Sequence, residues 1–139
     1  MNLKNRKIKE KLGLIKDTWR FNDKVAENFD IHVKQSIPHY NDLQNYLVQL
    51  CEWFLKDDTN IYDLGCSTGE TIKKITKLKI STNFSIVGID NNKKMIKLAK
   101  NKVNEFNKKN LKITFEHKDL NKIKILKKSN LFYSILIFP

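Results

Sequence analysis

An α/β fold built on a parallel sheet, with two extra helices ahead of it, is what the sequence predicts. Three observations carry that prediction. After Asn60, short apolar runs at 61–64, 85–90, 113–117 and 131–138 alternate with amphipathic stretches, the pattern of right-handed strand–helix–strand crossovers. The first run ends in a turn of small residues bounded by Gly65 and Gly69. Ahead of Asn60 the apolar residues recur every three to four positions, a helical period.

In chain order, Val25, Phe29, Val33 and Ile37 put an apolar face on a helix over residues 23–37, which Pro38 ends. A second helix is expected over 41–55 with Leu43, Leu47, Leu50 and Phe54 inward and Asp57 and Asp58 leading into a turn; neither helix is expected to belong to the αβα core. Between the strands, residues 70–78 and 93–107 read as helices, the latter with Ile96, Ala99, Val103 and Phe106 on one side. The stretches 77–83 and 118–129 read as exposed connections. The organisation is therefore a basic arm over 1–20, a helical cap over 21–58 and a ligand-binding αβα domain over 59–139.

The length is that of one domain, and the 40% hydrophobic content is that of an ordinary globular chain. No stretch approaches the roughly 20 apolar residues of a membrane span. The lysine-rich start has neither the apolar block of a secretory signal nor the bias of a transit peptide, so the cytoplasm and no membrane partner are expected. Cys51 and Cys66 form no framework of bridges, and with His32, His39 and His117 they lack metal-ligand spacing; no metal is expected. The net charge of +12 is uneven: +5 over 1–16, −3 over 17–92 and +10 over 93–128. Clustered lysines could follow an RNA backbone. The same lysines would equally furnish solvated helix faces.

The most specific signal is Ile61-Tyr62-Asp63-Leu64-Gly65-Cys66-Ser67-Thr68-Gly69, a strand running into a tight loop and then a helix. Such a loop lets backbone N–H groups approach a ligand closely. The ligand is not a dinucleotide held by Gly-x-Gly-x-x-Gly, because Ser67 and Glu70 stand where its second and third glycines belong. Nor is it a phosphate in a P-loop, because Glu70 replaces the lysine. Asp63 at the strand end suits an ammonium group, and the glycines allow approach to a carboxylate, which together describe an amino-acid moiety. Val87-Gly88-Ile89-Asp90 then places a carboxylate just over twenty residues beyond the loop, where it can accept from a ribose diol. Ribose plus amino acid indicates S-adenosylmethionine. Asp119, after the third strand, could meet the exocyclic amine of adenine or simply cap a turn.

The loop together with Gly88-Ile89-Asp90-Asn91 resembles class I S-adenosylmethionine-dependent methyltransferases across 60–139. The resemblance implies a Rossmann-like class I fold of which the chain holds the first four strands. Upstream, Phe21-Asn22-Asp23-Lys24-Val25-Ala26-Glu27-Asn28-Phe29-Asp30 and Gln35-Ser36-Ile37-Pro38-His39-Tyr40 are similar to the carboxy-S-adenosylmethionine synthases, which use prephenate to make the carboxymethyl donor for tRNA wobble uridines. That likeness implies a transferase acting on a small molecule. It implies cofactor contacts from Tyr40, from Gly65, Cys66 and Ser67, from Asp90 and Asn91, and from Asp119 and Leu120. Read from the residues alone, Tyr40 could equally pack with its hydroxyl in water.

Two positions depart from that family. Ile137 stands where it has an asparagine, and the arginine that holds the transferred carboxylate lies in a later half of the fold; here the arginines are Arg6 and Arg20. An ordinary methyltransferase of a small molecule or RNA, or a silent binding module, is the alternative. No catalytic side chain is singled out, since an electrophilic sulfonium needs alignment more than acid–base help. Cys66 is expected to offer its backbone, and Trp19 and Trp53 to serve as core or lid aromatics. A fourth strand lacking a neighbour would expose an apolar edge over 131–138, so a fragment or a homo-oligomer is expected.

Overall fold

The structure, a computed structural model, describes residues 23–104, 109–123 and 131–133. Two helices, α1 (Asp23–Ser36) and α2 (Tyr40–Phe54), precede β1 (Thr59–Leu64), α3 (Glu70–Ile75), β2 (Phe84–Asp90), α4 (Lys93–Val103), β3 (Leu111–His117), a 3-10 turn at Leu120–Lys122 and a short β4 (Leu131–Tyr133). Three full strands and the three-residue β4 form one sheet in the order β3-β2-β1-β4. All pairings are parallel, with Asp63 opposite both Gly88 and Tyr133. From β1 the chain steps twice in one direction, to β2 and β3, and β4 then lies on the other flank of β1. That reversal makes the C-terminal end of β1 the switch point, where open α/β sheets bind ligands. Two right-handed crossovers in one direction put α3 and α4 on the same face, and they touch each other there.

The elements follow the sequence expectation with shifts at their ends. Pro38 closes α1, and Asn92 caps α4, its side chain accepting from the amides of Lys94 and Met95. The third helix stops at Ile75 rather than 78. β4 is described only over 131–133, so most of the expected apolar edge, with Ile137, lies outside the described residues. So do the basic arm, Trp19 and Phe106.

The α2 expectation is corrected. Its fully buried face is Gln44, Val48 and Cys51; of the residues expected inward, Leu47 packs on the core, while Leu43, Leu50 and Phe54 are about half exposed. Trp53, expected in core or lid, is 82% exposed. The helix carries apolar residues on two faces, so their spacing alone does not choose between the faces. The buried face includes Gln44, whose Nε2 donates to Tyr40 Oη at 3.1 Å and to Thr71 Oγ1 on α3 at 3.3 Å while its Oε1 is buried with no partner among the described residues. Nor does α2 stand apart from the αβα core. Val48 and Cys51 join Ile61, Ile72, Ile75, Ile86 and Ile96 in the main cluster. It is α1 that forms a separate patch, Phe29 and Val33 packing on Met95 with Ile37, Tyr40 and Leu98 around them.

Candidate functional site

The loop after β1 is shaped by three left-handed residues: Gly65 (φ 75°), Ser67 (φ 49°) and Gly69 (φ 74°). Two of the three are glycines because L side chains rarely take that conformation. At Gly69 there is also no room, since a Cβ would come within 3.0 Å of Ala99 Cβ.

The loop is stitched to the end of β2. Ile89 O accepts from both Gly65 N (2.8 Å) and Cys66 N (2.9 Å). Asp90 continues the stitching through its side chain, Oδ2 accepting from Ser67 N and Oδ1 from Asn92 N, each at 2.8 Å. The glycine turn and the carboxylate, separated in sequence, thus form one wall at the C-terminal ends of neighbouring strands. Asp90 is nearly buried, and burial raises its pKa above the ordinary aspartate value although the amides of Asn92 and Ser67 oppose the shift. The amide of Asn91 supports the charged form as well, and a carboxylate's roughly four acceptor positions leave at least one for a ribose hydroxyl.

The other predicted site residues surround this wall unequally. Asp63 is buried at the end of β1, and its charge adds to the burial that raises the pKa values of the neighbouring Tyr40, Cys51 and Cys66. Tyr40 opens α2, half-buried, with its pKa raised to about 12 by burial and by Asp30, Asp63 and Glu70, against the opposing hydrogen bond from Gln44. Its phenol is therefore a neutral donor at any ordinary pH. Cys66 is buried and its thiol is pushed far up by burial, which fits a backbone role and not a nucleophile. Asn91 is exposed, with its carbonyl 2.9 Å from His117 Nε2. Asp119 caps the 3-10 turn, accepting from Asn121 N at 3.0 Å, and Leu120 is half-buried beside it. Both follow β3, whose His117 lies opposite Asp90.

Sequence reasoning missed the residues that brace this site. Gln44, Thr68 and Thr71 are buried polar groups, and Asp30, Glu70 and Lys102 meet behind the loop. Asp30 and Lys102 are 72 positions apart, so no local pattern could have paired them. Among the described residues no cluster of His, Cys, Asp and Glu could hold a metal, and no helix is long and apolar enough to cross a membrane.

Residues 55–137 match a family model described as a methyltransferase domain. Curated relatives include the carboxy-S-adenosyl-L-methionine synthases of Nautilia profundicola, 36% identical over 105 residues (76% of this chain, 43% of that protein), and Haemophilus ducreyi, 33% over 97 residues (70% and 38%). The chain thus spans less than half the length of these relatives. Solved structures of similar fold include a methyltransferase from Geobacter sulfurreducens in complex with S-adenosyl-L-homocysteine (TM-score 0.52, 21% identity, 66% of this chain and 34% of that one). A TehB-like methyltransferase from Corynebacterium glutamicum is another (TM-score 0.54, 19% identity, 81% and 55%).

Proposed function

The chain belongs to the methyltransferase-domain family, and from that premise we propose that it binds S-adenosylmethionine at the C-terminal ends of β1 and β2 for group transfer. The observation that carries the reading is the 2.8 Å bond from Ser67 N to Asp90 Oδ2. It joins a turn open to an amino-acid moiety to a carboxylate with at least one acceptor position left for a ribose hydroxyl, and the donor set matches the two ends of that cofactor. Asp63 would face the ammonium group, and the glycine turn would let the carboxylate approach closely. Asp119 and Leu120 would border the adenine. Tyr40 would donate from its protonated phenol. Asp63, which together with burial keeps Tyr40 neutral, also makes the surroundings suit a cation.

When bound, the cofactor supplies an electrophilic carbon on its sulfonium. The protein's residues then need to orient it and exclude water, which requires no general acid or base. Within the family, the identities of 33% and 36% favour a carboxy-S-adenosylmethionine synthase type of reaction, with prephenate as second substrate and tRNA modification as its setting. Ile137, in place of that family's asparagine, favours plain methyl transfer as a second reading. Isothermal titration with S-adenosylmethionine and S-adenosylhomocysteine tests the pocket. Mass spectrometry of the cofactor after incubation with prephenate separates the two reactions, since only the synthase adds a carboxylate to the transferred carbon. No heat of binding with either ligand would refute the pocket reading.

A further inference from the structure

Behind the glycine loop, three polar side chains from separate elements meet around the ammonium group of a fourth residue. Lys102, in the last turn of α4, donates from Nζ to Thr68 Oγ1 at 3.0 Å, to Glu70 Oε2 at 3.0 Å and to Asp30 Oδ2 on α1. An ammonium has three N–H donors, and all three are used. The Thr68 hydroxyl donates in turn to the other oxygen of Asp30, so Lys102, Asp30 and Thr68 close a ring. The ring is partly shielded: Thr68 is buried and Lys102 is 18% exposed, while Asp30 is 34% exposed.

Its placement matters more than its strength. Thr68 sits between the left-handed Ser67 and Gly69, in the loop that forms the pocket wall. Asp90 holds that loop at Ser67, on the side facing β2, and the ring holds it at Thr68, on the side facing α1. Among its described side chains helix α1 has no share in the main core; their apolar anchorage is the separate patch around Met95. The ring is therefore a polar joint between a helix that packs on its own and the loop that shapes the site.

We propose that Lys102 is a positioning residue that couples the docking of α1 to the conformation of the ligand-binding loop, acting through Asp30 and Thr68. Removing the ammonium leaves the carboxylates of Asp30 and Glu70 facing each other across Thr68 with no cation between them. Repulsion then separates α1 from the loop, and both loosen together. The affinity part of this inference rests on the ligand reading above; the loosening part does not.

The experiment uses the full chain as wild type, Lys102→Met, Lys102→Arg, Asp30→Asn and the Asp30→Asn/Lys102→Met double variant. Amide exchange by mass spectrometry, without ligand, is expected to show faster exchange in Lys102→Met over 23–36 and over 65–70 together, with Lys102→Arg restoring both. Titration with S-adenosylhomocysteine is expected to give about a tenfold weaker Kd for Lys102→Met, within the usual range of coupling between sites. Asp30→Asn should weaken binding by itself but partly restore it in the Lys102→Met background, because it removes the repulsion, the non-additivity of groups acting in one joint. A wild type that binds no ligand overturns the cofactor reading and leaves the exchange arm to decide this one. Exchange that rises at one segment alone or at neither, or wild-type affinity in Lys102→Met, overturns the coupling. Should Lys102→Met not fold, Asp30→Asn and Lys102→Arg give the same contrast.

Discussion

Replacing Asp90 by alanine separates two roles that the structure gives one carboxylate. Its oxygens accept from Ser67 N and Asn92 N, each at 2.8 Å, and the side chain is only 9% exposed. A hydrogen bond to a charged group contributes about 1.5–3 kcal/mol. The amide of Asn92 lies beside exposed Asn91 and can turn to water, whereas Ser67 N faces the interior between loop and β2, so the net loss is about 2–3 kcal/mol. For a domain of this size that corresponds to a fall of about 6–12 °C in Tm, readable by circular dichroism. The second role is the diol. If Asp90 takes both ribose hydroxyls, Asp90→Ala also weakens S-adenosylhomocysteine binding by about a hundredfold in titration below the melting range, two charge-assisted bonds being worth roughly that. A Tm within 2 °C of wild type would refute the bracing of the loop. A clear fall in Tm with unchanged affinity would refute the ribose contact while leaving the bracing intact.

Other perturbations check separate parts of the argument. Burial raises the Asp90 pKa, and a diol binds the ionised form, so affinity should be constant at neutral pH and fall about tenfold per unit below that raised value, a slope absent in Asp90→Asn. Over the same window Asp90 favours the unliganded fold as the pH drops, because the folded state holds the proton more tightly than the unfolded one; affinity and stability moving together would refute this assignment. Gly88→Ala would place a Cβ 2.8 Å from Phe115 Cδ1 and 2.9 Å from Ile72 Cδ1, and should cost about 1–3 kcal/mol in urea unfolding; an unchanged midpoint would show that β2, β3 and α3 are not packed as described. Cys51 and Cys66 are buried with thiols pushed up by burial, Cys51 to about 12, so neither should react with a thiol reagent at pH 8 until denaturant is added, when both should. Rapid labelling of the native protein would contradict that burial.

What could be read from the sequence was what is local. A strand that ends in Gly-Cys-Ser-Thr-Gly and a second that ends in Gly-Ile-Asp declare themselves within nine residues each, because turn chemistry and period-two burial act over that range. Their adjacency then follows from the crossover rule, and the Ser67–Asp90 bond agrees with it. The face of α2 was not legible, because Leu43 and Leu50 compete with Val48 and Cys51 and the buried face includes a glutamine that meets Thr71 on another helix. The Lys102 joint was not legible at all. Nothing about a lysine on an otherwise lysine-rich helix distinguishes the one that turns inward from Lys97 and Lys100, which remain exposed.

Ser67 shows why such bracing is needed. A serine at φ 49° is in a conformation that costs an L residue about 1–2 kcal/mol, and it stands between two left-handed glycines that impose no preference of their own. Left alone, that stretch would relax. It is held because Ser67 N finds a carboxylate on β2, while its neighbour Thr68 finds Asp30 and Lys102 on the opposite side. The loop's shape is thus set by its glycines together with tertiary partners on both flanks. If the proposed ligand seats on this loop, its affinity should respond to side chains well behind the surface that never touch it.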